Sequence, residues 1–277
     1  MKAARCAACS GAAHLRAKFR FVGQRGLFQN VAEITKSLGY LWEFITAEEA
    51  ESSFQAPLYM VDSRADMSKL AEVMKSSLLA GVSVGIAGFG YLASRDAGAG
   101  FIVTRELMGS VLFSFALLAV VNYKMMLYTG TAGFVKKGEL GRLALILLGN
   151  IIGCLLVALM ARLSPMPLQQ TAQGVLELRL SSGALNGGIL SIGCGFIMTT
   201  AVTFARKGNN LPLMIGVPLF IMCGFPHCVA DAFYYLAAPL AFWQAHLGEI
   251  MVFYASIVIG NFVGCNFYRL IMGSNPE

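Results

Sequence analysis

Charge is what this chain has least of. Only 13% of its 277 residues are Asp, Glu, Lys or Arg, about half the share found in an ordinary water-soluble domain. A catalytic constellation is also missing. There are no paired carboxylates, no histidines and cysteines at metal-ligand spacing, and no nucleophile beside a base, which argues against an enzyme and against a resident metal or cofactor. The seven cysteines do not form a disulfide framework. Cys154, Cys194, Cys223, Cys228 and Cys265 lie inside apolar segments, where cysteine behaves as a small hydrophobe. The C-x-x-C at Cys6 and Cys9 has no second pair, so it reads as a weak metal signal or a tail without a role. The N-terminus lacks the unbroken apolar core of a signal peptide. With charge this scarce, the net +6 speaks to loop orientation rather than to a nucleic-acid footprint.

What the chain does have is apolar length. Hydrophobic residues make up 57% and mean hydropathy is +0.66. A bilayer crossing needs roughly 20 apolar residues. Six segments are candidates, at about 70–93, 107–121, 143–161, 183–205, 211–238 and 250–271. The fold class expected is an all-α membrane protein embedded in lipid. Residues 1–57 form a separate N-terminal extension, in which Ile34, Leu38, Leu41 and Ile45 have the spacing of a short amphipathic helix. Residues 58–277 form the transmembrane domain. Gly81, Gly85 and Gly88 fall on one side of the first span and permit close helix approach. Between spans three and four, Pro165, Pro167 and Arg179 mark a longer polar connection.

Two spans are interrupted. The fifth carries Gly224-Phe-Pro-His-Cys-Val-Ala-Asp231 near its centre. Proline is a poor residue for a helix interior, and an imidazole at membrane depth faces a cavity or a partner. The second runs into Asn122-Tyr-Lys-Met-Met-Leu-Tyr-Thr-Gly-Thr131, with its break expected near Tyr128–Gly130. Each interrupted span is followed by a near-repeat, Gly149-Asn-Ile-Ile-Gly-Cys154 and Gly260-Asn-Phe-Val-Gly-Cys265. Matching positions in three spans against three give opposite orientations, the pattern of a 3+3 inverted repeat. Lys136, Lys137 and Arg142 share a side with Arg206, Lys207, Lys69, Lys75 and Arg269, which puts both termini in the cytoplasm.

Half-helices that meet at the midplane leave backbone N–H groups free to attract anions. Thr129 and His227 would then face each other across the pseudo-twofold axis, a hydroxyl and an imidazole suited to a small monovalent anion or its conjugate acid. Histidine titrates near neutrality and is able to hand a proton to a weak acid. A structural hydrogen bond between helices is the competing reading of His227. Lys124 is a buried cation unless it lines the path or snorkels. Arg179 is an anion-attracting vestibule residue or a loop charge. Asn150 and Asn261 line the path, or they cap and bridge helices. Asp231 is expected at a hydrogen-bonded interior position.

These residues resemble the formate/nitrite transporter family over about residues 67 to 272. Gly224-Phe-Pro-His-Cys-Val-Ala-Asp-Ala-Phe233 is similar to that family's Gly-Phe-Glu-His-x-x-Ala-Asn-Met-Phe signature. Ile259-Gly-Asn-Phe-Val-Gly264 resembles its Gly-Asn-Ile-Ile-Gly motif, and Leu127-Tyr-Thr-Gly-Thr131 its break in the second helix. The resemblance implies an aquaporin-like protomer of six helices, with the second and fifth broken, in a homopentamer with one pore per subunit. It matches His227 to the central histidine, Thr129 to its partner, and Arg179 to a lysine outside the pore. Leu117, Leu127 and Phe220 match two hydrophobic constrictions, and Asn261 the asparagine of the last helix. The chain departs from the pattern at Lys124 and Met126, which replace a glycine and an acid, at Pro226, which replaces a glutamate, and at Gly195, which replaces an asparagine. The expected function is a channel or proton-coupled transporter for formate, nitrite or a similar small anion in the bacterial inner membrane. Its partners are that anion, protons and lipid. Hydrosulfide transport and a non-transporting membrane subunit or sensor are the alternatives.

Overall fold

A computed structural model describes residues 63–96, 102–136 and 138–273. The Cys6–Cys9 motif and the amphipathic pattern at 31–45 lie outside the described residues. All regular structure among the described residues is helical, in nine elements. These are α1 (Ser63–Asp96), α2 (Ile102–Asn122), α3 (Tyr128–Ala132), α4 (Leu140–Leu163), α5 (Leu168–Ser182), α6 (Ala184–Arg206), α7 (Leu211–Met222), α8 (Cys228–Ala237) and α9 (Leu240–Met272). Five of them, α1, α2, α4, α6 and α9, contain stretches long and apolar enough to cross a membrane, and α7 and α8 are shorter apolar helices.

Two helix pairs form the frame, α1 with α4 and α6 with α9, and small residues decide how closely they approach. A Cβ on Gly81 of α1 would collide with the Asn150 carbonyl oxygen of α4. A Cβ on Gly195 of α6 would collide with the Asn261 carbonyl oxygen of α9. Gly85 and Gly88 also face close neighbours, Val157 and Phe233. The outward faces stay apolar: Phe115, Met160, Ile215, Leu163 and Ile271 are all exposed. Such a surface is suited to lipid or to a partner subunit rather than to water.

Three boundaries differ from the sequence reading. The connection expected to be polar at 164–182 folds as α5, a 15-residue helix. Leu168, Ala172, Val175 and Leu176 are its buried residues, and their i, i+4, i+7, i+8 spacing was available in the sequence. The prolines at 165 and 167 sit before its first turn, where a missing N–H costs nothing. The last helix starts ten residues earlier than its apolar run, at Leu240, and is kinked at His246 (φ −126°, ψ 16°). The interruption after α2 falls at 123–127 rather than at Tyr128–Gly130, because Tyr128 already begins α3.

Candidate functional site

Both interruptions are built the same way. α2 closes with Lys124 N–H donating to the Val121 carbonyl (3.1 Å) and Met125 N–H to the Val120 carbonyl (2.8 Å). α7 closes with Gly224 N–H to Ile221 (2.9 Å) and Phe225 N–H to Phe220 (2.9 Å). This is the Schellman ending, which needs a left-handed residue at the turn. Those residues are Lys124 (φ 53°) and Gly224 (φ 69°). Lys124 is exposed at this turn, so it is not the buried cation considered from the sequence.

After each turn the chain crosses three non-helical residues, the last of them extended (Leu127 and His227), and starts a short helix, and an asparagine from the neighbouring long helix holds it there. Asn150 Oδ1 accepts from Tyr128 N–H (2.9 Å), and its Nδ2 donates to Met126 O (3.0 Å) and Ser77 O (2.7 Å). Asn261 Oδ1 accepts from Cys228 N–H (2.8 Å), and its Nδ2 donates to Pro226 O (3.1 Å) and Ser191 O (2.8 Å). Both side chains are fully buried. Each asparagine thus ties two backbone groups freed by an interruption to a carbonyl of a neighbouring long helix. Two thiols add weaker contacts, Cys265 Sγ to the Thr129 carbonyl (3.3 Å) and Cys154 Sγ to the Val229 carbonyl (3.4 Å).

The short helices meet at Thr129 and His227. His227 is the N-cap of α8, and its Nδ1 accepts from Ala230 N–H (3.2 Å). An accepting Nδ1 puts the proton of the neutral ring on Nε2, which lies 2.8 Å from Thr129 Oγ1. Nε2–H therefore donates to the threonine, whose own O–H stays free to donate elsewhere. Both residues are buried. The Phe220 ring stacks on the imidazole, with centroids 5.7 Å apart and planes at 25°. Leu117 on α2 and Leu127, the residue before α3, are buried in the same apolar core.

On one side of His227 lies a cavity of about 20 Å³, bordered by Phe113, Arg179, Phe220, Asp231 and Tyr234, room for a single water. Arg179 reaches it from α5 and donates through Nη1 to the Gly224 carbonyl. Its Nε is 3.5 Å from Asp231 Oδ2. Asp231 is interior, as expected, but neither carboxylate oxygen has a hydrogen-bond partner; its contact is the ion pair. Sequence reasoning passed over Phe113 and the Arg179–Asp231 pair. The two residues are 52 apart in the chain, and only the path of α5 brings them together.

Residues 53–272 match the model of a family described as Formate/nitrite transporter. The formate channel FocA of Haemophilus influenzae is 24% identical over 232 residues, covering 72% of this chain and 80% of that protein. A solved structure described as a pentameric formate channel with formate bound aligns with a TM-score of 0.63 and 21% identity, covering 75% of this chain and 99% of that one. A second, described as an FNT family ion channel, aligns with a TM-score of 0.59 and 21% identity over 74% and 90% of the two chains. At such identities the solved structures speak for the fold, and the family model, spanning most of the chain, speaks for descent. The chain belongs to the formate/nitrite transporter family.

Proposed function

We propose that the protein is a channel or proton-coupled transporter that moves small monovalent anions, formate or nitrite, across the bacterial inner membrane. The observation that carries this reading is the Thr129–His227 hydrogen bond at the meeting point of two short helices, each latched by an asparagine. A free threonine O–H, an imidazole and a dry aromatic wall suit a small anion that sheds its water to pass. Proton coupling follows from the same ring. A second proton would go to Nδ1, which now accepts from Ala230 N–H, so protonating the ring gives up the helix cap. The names of the relatives, formate channels, support this substrate class.

The finer architecture belongs to the same proposal. The helix pairs α2–α3 and α7–α8 each make one interrupted crossing: α7 and α8, with 12 and 10 residues, add up to roughly 33 Å, about the thickness of the hydrocarbon core. With α1, α4, α6 and α9 that makes six crossings, three and three in opposite senses. The matched hydrogen bonds of Asn150 and Asn261 support the inverted repeat. Arg206 lies over the Phe134 ring at 3.7 Å and Arg269 donates to the Val135 carbonyl (2.8 Å). The basic ends of α6 and α9 thus gather at the turn after α3, which supports a cytoplasmic position for that face. The protein assembles as a homopentamer with one pore in each subunit, after the pentameric relative. Leu117, Leu127 and Phe220 form its dry constrictions.

Uptake of formate, nitrite and hydrosulfide into proteoliposomes tests the reading. Formate or nitrite flux well above that of empty vesicles is the expected result. Hydrosulfide flux alone would reassign the substrate, and no flux from intact oligomers would make the protein a non-transporting subunit.

A further inference from the structure

Asp231 is fully buried one turn beyond His227, and the reading above leaves it without a task. Its N–H continues the helix to the His227 carbonyl (2.8 Å), while both carboxylate oxygens lack hydrogen bonds. A buried carboxylate without donors is costly, and the opposite charge beside it, Arg179, is only loosely engaged, with Nε 3.5 Å from Oδ2. Arg179 is incompletely used as well. Its Nη1 donates to the Gly224 carbonyl, yet its Nε is buried with no acceptor in hydrogen-bonding geometry. Both side chains border the cavity that His227 and Phe220 line. A guanidinium whose Nε–H lacks a hydrogen-bond partner therefore borders the candidate path, and an ill-fitted carboxylate stands next to it.

A guanidinium edge matches a planar O–X–O anion in a two-point grip. The Asp231 carboxylate is such an anion, attached to the wall of the path. We propose that Asp231 is a tethered competitor: it shares Arg179 with an arriving formate or nitrite and keeps that anion weakly held. Two anions on one cation bind less well than one, and a conducting path requires sites that release what they take. The two-point edge also ranks planar oxyanions above hydrosulfide, whose single sulfur spans one N–H only. The inference rests on the proposed transport function and assigns the substrate class to planar oxyanions at the Arg179 end.

The test is binding of [13C]formate to the purified full-length oligomer by NMR titration, with formate flux in proteoliposomes measured alongside. Asp231→Asn keeps the side-chain shape and removes the charge. It is expected to tighten formate binding about tenfold and to leave hydrosulfide binding within about twofold, the tightening disappearing when Arg179→Gln is added. Asp231→Ser serves the same purpose if the asparagine variant does not assemble. Weaker or unchanged formate binding in the charge-free variant, or tightening that survives Arg179→Gln, overturns the tethered competitor. Flux in the wild type with no tightening would sink this inference and leave the transport reading standing. Tightening with no flux would do the reverse, and absence of both would remove both.

Discussion

His227 carries two separable duties, and the difference between them is measurable. As N-cap it satisfies Ala230 N–H, and as Thr129's partner it lines the proposed path. Losing an N-cap acceptor costs about 1 kcal/mol. His227→Ala should therefore lower the thermal unfolding midpoint of the detergent-solubilised protein, whereas His227→Asn, a good N-cap, should restore most of it. Equal melting of the two variants would deny the capping role. Asn150 and Asn261 invite a similar comparison. Asn261→Ala strands the Cys228 N–H and the carbonyl of Pro226, and each unsatisfied buried group costs about 1–3 kcal/mol. Asn261→Ala and Asn150→Ala should destabilise to a similar degree, read as loss of folded oligomer on size exclusion after heating. The sequence displayed both asparagines through the Gly-Asn repeat but not their partners, because the freed backbone groups lie 22 to 35 residues away in the chain and only the fold brings them within reach.

At the scale of an element, the two Schellman endings differ in one residue. Gly224 adopts φ 69° without a Cβ penalty, while Lys124 holds φ 53° against one, a cost of about 1–2 kcal/mol. Lys124→Gly should therefore stabilise the protein by about 1 kcal/mol, seen as a higher melting temperature, and no gain would mean that the lysine makes contacts worth the strain. Gly195→Ala should act in the opposite direction. Its Cβ meets the Asn261 carbonyl, and the neighbouring atoms are backbone, so α6 and α9 must separate at a cost of about 1–3 kcal/mol. The breaks were legible because Gly-x-Pro and the polar 122–131 run stand out in apolar surroundings. The helix α5 was not read as one, since two prolines and several polar residues masked a short apolar stripe. With α5 goes the route by which Arg179 reaches Asp231.

Among the described residues, two similar sets of contacts meet at one point. Long helices pack through glycines and supply the asparagines, and short helices begin where those asparagines hold them. Thr129 and His227 complete the meeting. Composition and the six apolar runs were enough to anticipate a helical membrane protein. The motif around His227 was enough to anticipate the family, to which residues 53–272 belong. The small cavity was harder to foresee, because its walls come from α1, α2, α5, α7 and α8 together. In the proposed function, small-anion passage runs through the Thr129–His227 contact and the ring couples it to protons. Stopped-flow formate uptake into proteoliposomes at about pH 5.5 and about pH 7.5, for wild type and His227→Asn, separates the ring's part in that passage from the rest of the path. Flux in the wild type is expected to change severalfold between the two pH values, and flux in the variant is not. A variant with the same pH profile as the wild type would contradict it.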